Sequence, residues 1–273
     1  MLKECLQKVR ENHPLVHCMT NYVTVNDCAN MLLACGGSPI MSDDIQEVEE
    51  ITSLCDALVL NIGTLNERTI ASMFAAGKKA NQLGRPVVLD PVGAGASSLR
   101  TETAKKLLEE IQFSVIRGNS SEIKVLAAGI GGARGVDAAE TDAVTGETLE
   151  EMSSLAKAFA DRTGAVIAIT GAIDIVADQK RVFIIHNGSP MMAHITGCGC
   201  MLTGVTAAYM AANRKTPLEA AAAAVCAMGL CGERAAELLL PHQGNATCRN
   251  LLIDQMSLLD GSLLEQGARY DIR

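Results

Sequence analysis

The segment Thr196-Gly197-Cys198-Gly199-Cys200 runs directly into the apolar, proline-free stretch Met201–Met210. Glycines placed just before a helix let the backbone coil tightly, so that several free N–H groups point the same way. With the positive end of the helix dipole, Gly197, Cys198, Gly199 and Cys200 would seat a phosphate or a transferring phosphoryl group. A ligand-free tight turn is the competing reading of a lone Gly-x-Gly.

Other polar residues follow directly on short apolar runs. Asp90 closes Val87-Val88-Leu89 and precedes Pro91-Val92-Gly93. An acid there either caps its own turn or holds Mg²⁺ through water, because Mg²⁺ keeps much of its hydration shell. In Arg117-Gly118-Asn119-Ser120-Ser121-Glu122, Asn119 and Glu122 stand at capping-box spacing. The alternative places Glu122 on a metal and Arg117 on a phosphate, and it gains if Asp90 ends a neighbouring strand. Thr170-Gly171, after Ile167-Ala168-Ile169, suits a nucleotide phosphate or simply closes a turn. Asn21 and Val23, after Cys18-Met19-Thr20, and Met41, after Ser38-Pro39-Ile40, combine polar and apolar groups as a small, partly apolar substrate would require. Val23 and Met41 read equally well as core.

The elements that must position these residues alternate. Strands are expected at Leu15–Met19, Ser38–Met41, Ala57–Asn61, Pro86–Asp90, Ser114–Arg117, Ala165–Thr170, Asp174–Ala177 and Val182–His186. Helical periodicity fills Val25–Cys35, Asp44–Leu54, Asn66–Leu83, Thr101–Ile111, Ser121–Ala128 and Leu149–Asp161. This order implies right-handed βαβ units and a mostly parallel α/β sheet covered on both faces, with ligands beyond the carboxyl ends of its strands. The last two strands, joined across Asp178-Gln179-Lys180, read as an edge hairpin. Beyond the glycine loop everything reads as helix: Met201–Ala212, Pro217–Leu239 and Asn250–Leu264. The tract Gly129–Gly135 is the one candidate flexible loop, and nothing divides residues 1–273 into separate domains.

Composition narrows the function. At 273 residues, 48% hydrophobic and 20% charged, the chain is globular with a sizeable core. A net charge of −8, three Tyr, four Phe and no Trp argue against nucleic acid and anionic membranes. The N-terminus lacks an apolar leader, and Ala220–Gly232 falls short of the ~20 residues that span a bilayer. Ten cysteines without a Cys-x-x-Cys pair, and five scattered histidines, read as small buried residues in a reducing cytoplasm rather than disulfides or a zinc site. A Cys198–Cys200 redox pair is the minor alternative. No Gly-x-x-x-x-Gly-Lys-Ser/Thr loop occurs, nor does Gly-x-Gly-x-x-Gly follow the first strand.

Taken in order, seven motifs resemble one family nearly end to end. They are Thr20-Asn21-Tyr22-Val23-Thr24, Gly37-Ser38-Pro39-Ile40-Met41, Leu60-Asn61-Ile62-Gly63-Thr64, Leu89-Asp90-Pro91-Val92-Gly93-Ala94, Arg117–Glu122, Gly135-Val136-Asp137 and Thr196–Leu202. The chain is similar to the hydroxyethylthiazole kinases, within the ribokinase-like superfamily. The resemblance implies a three-layer αβα single domain without a lid, and a cytoplasmic homotrimer with sites between subunits. It implies phosphorylation of a thiazole alcohol by ATP with Mg²⁺. Arg117, Thr170 and Asn119 would then serve ATP, and Asp90 and Glu122 would organise Mg²⁺. Met41, Gly197, Asn21 and Val23 would contact the alcohol, with Gly197–Cys200 as the catalytic loop. Many superfamily kinases carry an Asp base where this chain has Cys200, as this kinase family usually does. Cys198 stands where relatives often have Thr, and Ala138 where Ser is usual. Another ribokinase-like alcohol kinase and a non-catalytic nucleotide-binding regulator are the competing functions.

Overall fold

The short Val/Ile/Leu runs form strands whose successive residues face opposite layers, which explains why they are apolar throughout. In the computed structural model, which describes residues 1–129, 144 and 148–273, the strands are β1 (Leu15–Met19), β2 (Ser38–Ile40), β3 (Ala57–Asn61), β4 (Val87–Asp90), β5 (Val115–Gly118), β6 (Val166–Ile169), β7 (Asp174–Ala177), β8 (Val182–Ile185) and β9 (Tyr270–Ile272). They form one sheet of order β2-β1-β3-β4-β5-β6-β7-β8-β9. The pairs from β2 through β6 are parallel, whereas β6–β7, β7–β8 and β8–β9 are antiparallel.

The helices are α1 (Leu2–Asn12), α2 (Val25–Cys35), α3 (Val48–Leu54), α4 (Glu67–Gln82), α5 (Ser98–Glu110), α6 (Ser120–Gly129), α7 (Leu149–Thr163), α8 (Cys198–Ala212), α9 (Pro217–Glu237), α10 (Asn245–Leu258) and α11 (Gly261–Gly267). Two buried clusters lie on opposite sheet faces. Val16, Cys18, Val59, Val88 and Val176 pack with α1, α2, α8, α9 and α10. Leu58, Leu60, Leu89, Ile116 and Ile167 pack with α4 to α7. The result is the expected three-layer αβα arrangement. The alanine-rich α9 is buried around most of its circumference, from Leu218 to Gly232. No described helix is long and apolar enough to cross a membrane.

Several boundaries differ from the sequence expectation. The N-terminal residues form α1, whose apolar stripe Leu2, Cys5, Leu6 and Val9 is buried. The helix expected from Asp44 begins only at Val48. The expected Asn250–Leu264 helix is two, because Leu259 is extended and the Asp260 side chain caps a new start at the Leu263 amide, 2.8 Å away. The chain beyond the glycine loop is not all helical. Tyr270–Ile272 adds to β8, so the β7–β8 hairpin exists but β9 takes the edge. All ten cysteines are free, and eight of them are buried. Residues 130–135 of the glycine tract, together with Val136, Asp137 and Ala138, lie outside the described residues.

Candidate active site

Parallel strands bring their carboxyl ends to one edge of the sheet, and the register sets Asn61 of β3 beside Asp90 of β4. Asp90 is fully buried. Its Oδ2 accepts from Asn61 Nδ2 at 2.7 Å and from Thr203 Oγ1 of α8 at 2.9 Å. Its Oδ1 faces Arg117 Nη1 of β5 at 3.5 Å. Burial nevertheless pushes the Asp90 carboxyl above its usual range, with Arg117, Thr203 and Asn61 only partly offsetting it.

Arg117 joins the strand ends to the glycine loop. Its Nη2 donates to Thr170 Oγ1 at 2.5 Å, and its Nε has no acceptor among the described residues. The guanidinium lies against Gly199, where a β-carbon would overlap it. Gly197 is the N-cap of α8 with φ 78°, and a β-carbon there would strike Thr24. Two separate crowding constraints therefore demand these glycines, beyond the left-handed conformation of the first. The Cys198 amide donates to Ile195 O at 3.3 Å, whereas those of Gly199 and Cys200 meet no acceptor among the described residues. The fold thus takes up the Cys198 amide, one of the four in the Gly197–Cys200 loop.

Cys200 faces the strand ends. Its Sγ lies 3.2 Å from the Nδ2 of Asn21 and 3.2 Å from that of Asn61. Asn21 also donates to Asn61 Oδ1 at 3.1 Å and accepts from Thr24 Oγ1 at 3.1 Å. A helix N-terminus by itself would lower a thiol pKa. Here burial dominates, and Asp90 adds to it, so the Cys200 thiol is pushed up and stays protonated. Burial likewise pushes Cys198 up to about 12 despite Arg117.

Glu122 closes the far side of the site. Its Oε2 accepts from the Asn119 amide and Asn119 Oδ1 accepts from the Glu122 amide, both at 2.8 Å, which completes the capping box. Its other oxygen accepts from the Gly93 amide at 2.8 Å, in the loop after Asp90. Burial, followed by the charge of Asp90, raises its pKa against those two amides. Two buried carboxylates that disfavour each other's charge are a donor set suited to a hard divalent cation. No group of three or more His, Cys, Asp or Glu able to hold a metal exists among the described residues.

Two cavities flank this cluster. One of about 560 Å³ is lined by the polar Arg117 and Thr170, by Cys198 and Gly199, and by the apolar Leu202, Val225 and Met228. The other, about 270 Å³, is lined by Met19, Thr20, Met41, Asn61 and Met73. Met41 therefore lines a cavity and also packs against the core. Val23 faces neither: it is 59% exposed beside Tyr22, which is 80% exposed.

Three residues at the centre carried no assigned role in the sequence. Asn61 ends an apolar strand as Asp90 does, and that signal would have found it. Thr203 lies one turn past Gly199, on the α8 face toward Asp90. Asp174 opens β7 and lines the larger cavity, where it accepts from the Gly171 amide at 2.8 Å. Nothing local marks it.

A family model described as the hydroxyethylthiazole kinase family matches residues 6–261. A hydroxyethylthiazole kinase from Clostridium acetobutylicum is 60% identical over 271 residues, covering 99% of each chain. The solved hydroxyethylthiazole kinase protein from Pyrococcus horikoshii OT3 matches at 36% identity with a TM-score of 0.88, covering 100% of this chain and 98% of that one. A ribokinase-like superfamily protein from Enterococcus faecalis V583, 13% identical with a TM-score of 0.63 over 95% of each chain, shares the fold. With the family model spanning most of its length and these relatives matching end to end, the chain belongs to the hydroxyethylthiazole kinase family.

Proposed function

We propose that this chain transfers the γ-phosphoryl group of ATP to the hydroxyl of 4-methyl-5-(2-hydroxyethyl)thiazole. One observation carries the reading. The cavities of about 560 and 270 Å³ lie on either side of a single cluster made of Asp90, Asn61, Arg117 and the N-terminus of α8. The larger offers apolar walls for a base and cationic and amide donors for phosphates. The smaller is rich in methionine, with a few hydroxyls and amides, and suits a small heteroaromatic alcohol.

Arg117, Thr170 and the free amides of Gly199 and Cys200 hold the phosphoryl oxygens and stabilise charge spread during transfer. Asn21 and Asn61 orient the alcohol from the side opposite the nucleotide. Asp90 and Glu122 would hold Mg²⁺, directly or through water, and the bound ion would neutralise charge on the phosphates. A protonated Cys200 positions the alcohol rather than removing its proton. Phosphoryl transfer through a loose transition state tolerates this, because it depends mainly on positioning and electrostatics. The exposed Tyr22 and Val25 line the smaller cavity, and the exposed Val23 lies between them in the chain. They support a homotrimer in which a neighbouring subunit covers that edge, bringing Val23 to the substrate. A cytoplasmic location accords with the free, mostly buried cysteines.

The test is ADP release measured with a panel of alcohols. Turnover with the thiazole alcohol at the highest kcat/KM supports the proposal. A preference for a pyrimidine or sugar alcohol would reassign the substrate. ATP binding without turnover of any alcohol would make the chain a regulator.

A further inference from the structure

The wall of the larger cavity contributed by Asn187, Gly188 and Ser189 is an irregular segment between β8 and a short 3₁₀ turn, Pro190–His194, whose Pro190 also lines the cavity. A loop of this kind keeps its place only if other groups satisfy its backbone. Glu233 of α9 does so from behind, with Oε1 accepting from the Gly188 amide at 2.7 Å. The same carboxylate takes both ends of the Arg269 guanidinium, Nη2 at 2.6 Å and Nη1 at 3.0 Å. Arg269 lies just before β9, and its Nη2 also donates to His186 O at 2.9 Å. Its backbone amide donates to Asn187 Oδ1 at 2.7 Å. Asn187 Nδ2 in turn donates to Gly267 O at 2.9 Å.

Small residues complete the fit. A β-carbon on Gly229 would stand 2.8 Å from the Asn187 backbone, so α9 and the wall are in direct backbone contact. Because a bidentate Arg–carboxylate pair fixes direction as well as distance, the wall cannot shift without breaking it.

From this network we infer that Glu233 and Arg269 are positioning residues for the nucleotide, and that the C-terminal segment 267–272 acts as a latch on the nucleotide wall. The inference rests on the reading of the larger cavity as the nucleotide site. Neither residue lines the smaller cavity, so the latch acts on one substrate and spares the other.

The experiment pairs calorimetric titration of ATP with steady-state kinetics for both substrates, using the full chain. Arg269→Ala is expected to weaken ATP binding and raise the ATP KM about fivefold, with kcat and the alcohol KM within about twofold. Arg269→Lys, which keeps the charge but loses the fork, should recover only part of the ATP affinity and stay at least about twofold weaker than the unaltered chain. If Arg269→Ala does not fold, the isosteric Glu233→Gln carries the test, with an expected loss of about threefold in ATP affinity. A folded variant with unchanged ATP affinity, or one in which both KM values rise together, would overturn the latch. Absence of ATP binding by the unaltered chain would instead overturn the proposed function.

Discussion

Replacing Asp174 by Asn removes one buried charge while leaving a carbonyl oxygen for the Gly171 amide, so it isolates what that charge does to the protein. Asp174 is 8% exposed at the start of β7, and burial pushes its carboxyl from 3.8 up to about 7, against the lowering effects of Gly171 and Arg117. The folded chain therefore binds this proton more tightly than the unfolded chain. The stability it contributes is present below about pH 4 and is lost as pH rises through 7. A gap of about three pH units corresponds to about 4 kcal/mol at full ionisation. Asp174→Asn mimics the protonated form at every pH. In urea unfolding, the variant should be more stable than the parent by about 2–4 kcal/mol at pH 8, and the two should differ by less than about 1 kcal/mol at pH 4. An unsatisfied amide introduced by Asn would cost the same at both values, so the pH dependence of the difference is the diagnostic. A difference that does not change between pH 4 and pH 8 would refute the reasoning.

Three further outcomes follow from the site. Gly199→Ala places a methyl against the Arg117 guanidinium at a helical position that accepts alanine. It should lower kcat/KM about 100-fold with little change in melting temperature, and a near-parental rate would show that Arg117 is not needed where it lies. Cys200→Asp supplies a carboxylate beside the Asn21 and Asn61 amides, and is expected to raise kcat about tenfold with a new rising limb in the pH–rate profile, while Cys200→Ser lowers it. A folded but slower Asp variant would leave Cys200 a purely steric role. His17 is buried, its pKa is lowered chiefly by burial, and it links Ser42 O and Thr52 Oγ1 at 2.9 Å each, behind the Met41–Asp43 lining. His17→Phe should raise the KM of the alcohol about fivefold and leave that of ATP unchanged; equal shifts in both would indicate general destabilisation.

The amino-acid order alone determined most of the elements and which edge of the sheet bears the polar groups. Apolar runs separated by amphipathic ones admit few arrangements, and a parallel sheet collects every strand's carboxyl end on one side. That is why Asp90, Arg117, Thr170 and the Gly197–Cys200 loop were legible from local signals as neighbours at one sheet edge. Tertiary structure decided what each group does there. Asp90 meets Asn61 and Thr203 across 29 and 113 residues of sequence, and the Glu122 oxygens are claimed by the Gly93 and Asn119 amides. The titration of Cys200 follows burial and a neighbouring charge rather than its helix end. The strand at Tyr270–Ile272 was invisible because three residues carry too little pattern, and its pairing depends on an edge of β8 that exists only once the sheet has formed. Short-range periodicity encodes elements, whereas desolvation and long-range hydrogen bonds, which set charge and position, arise only when distant segments share one interior.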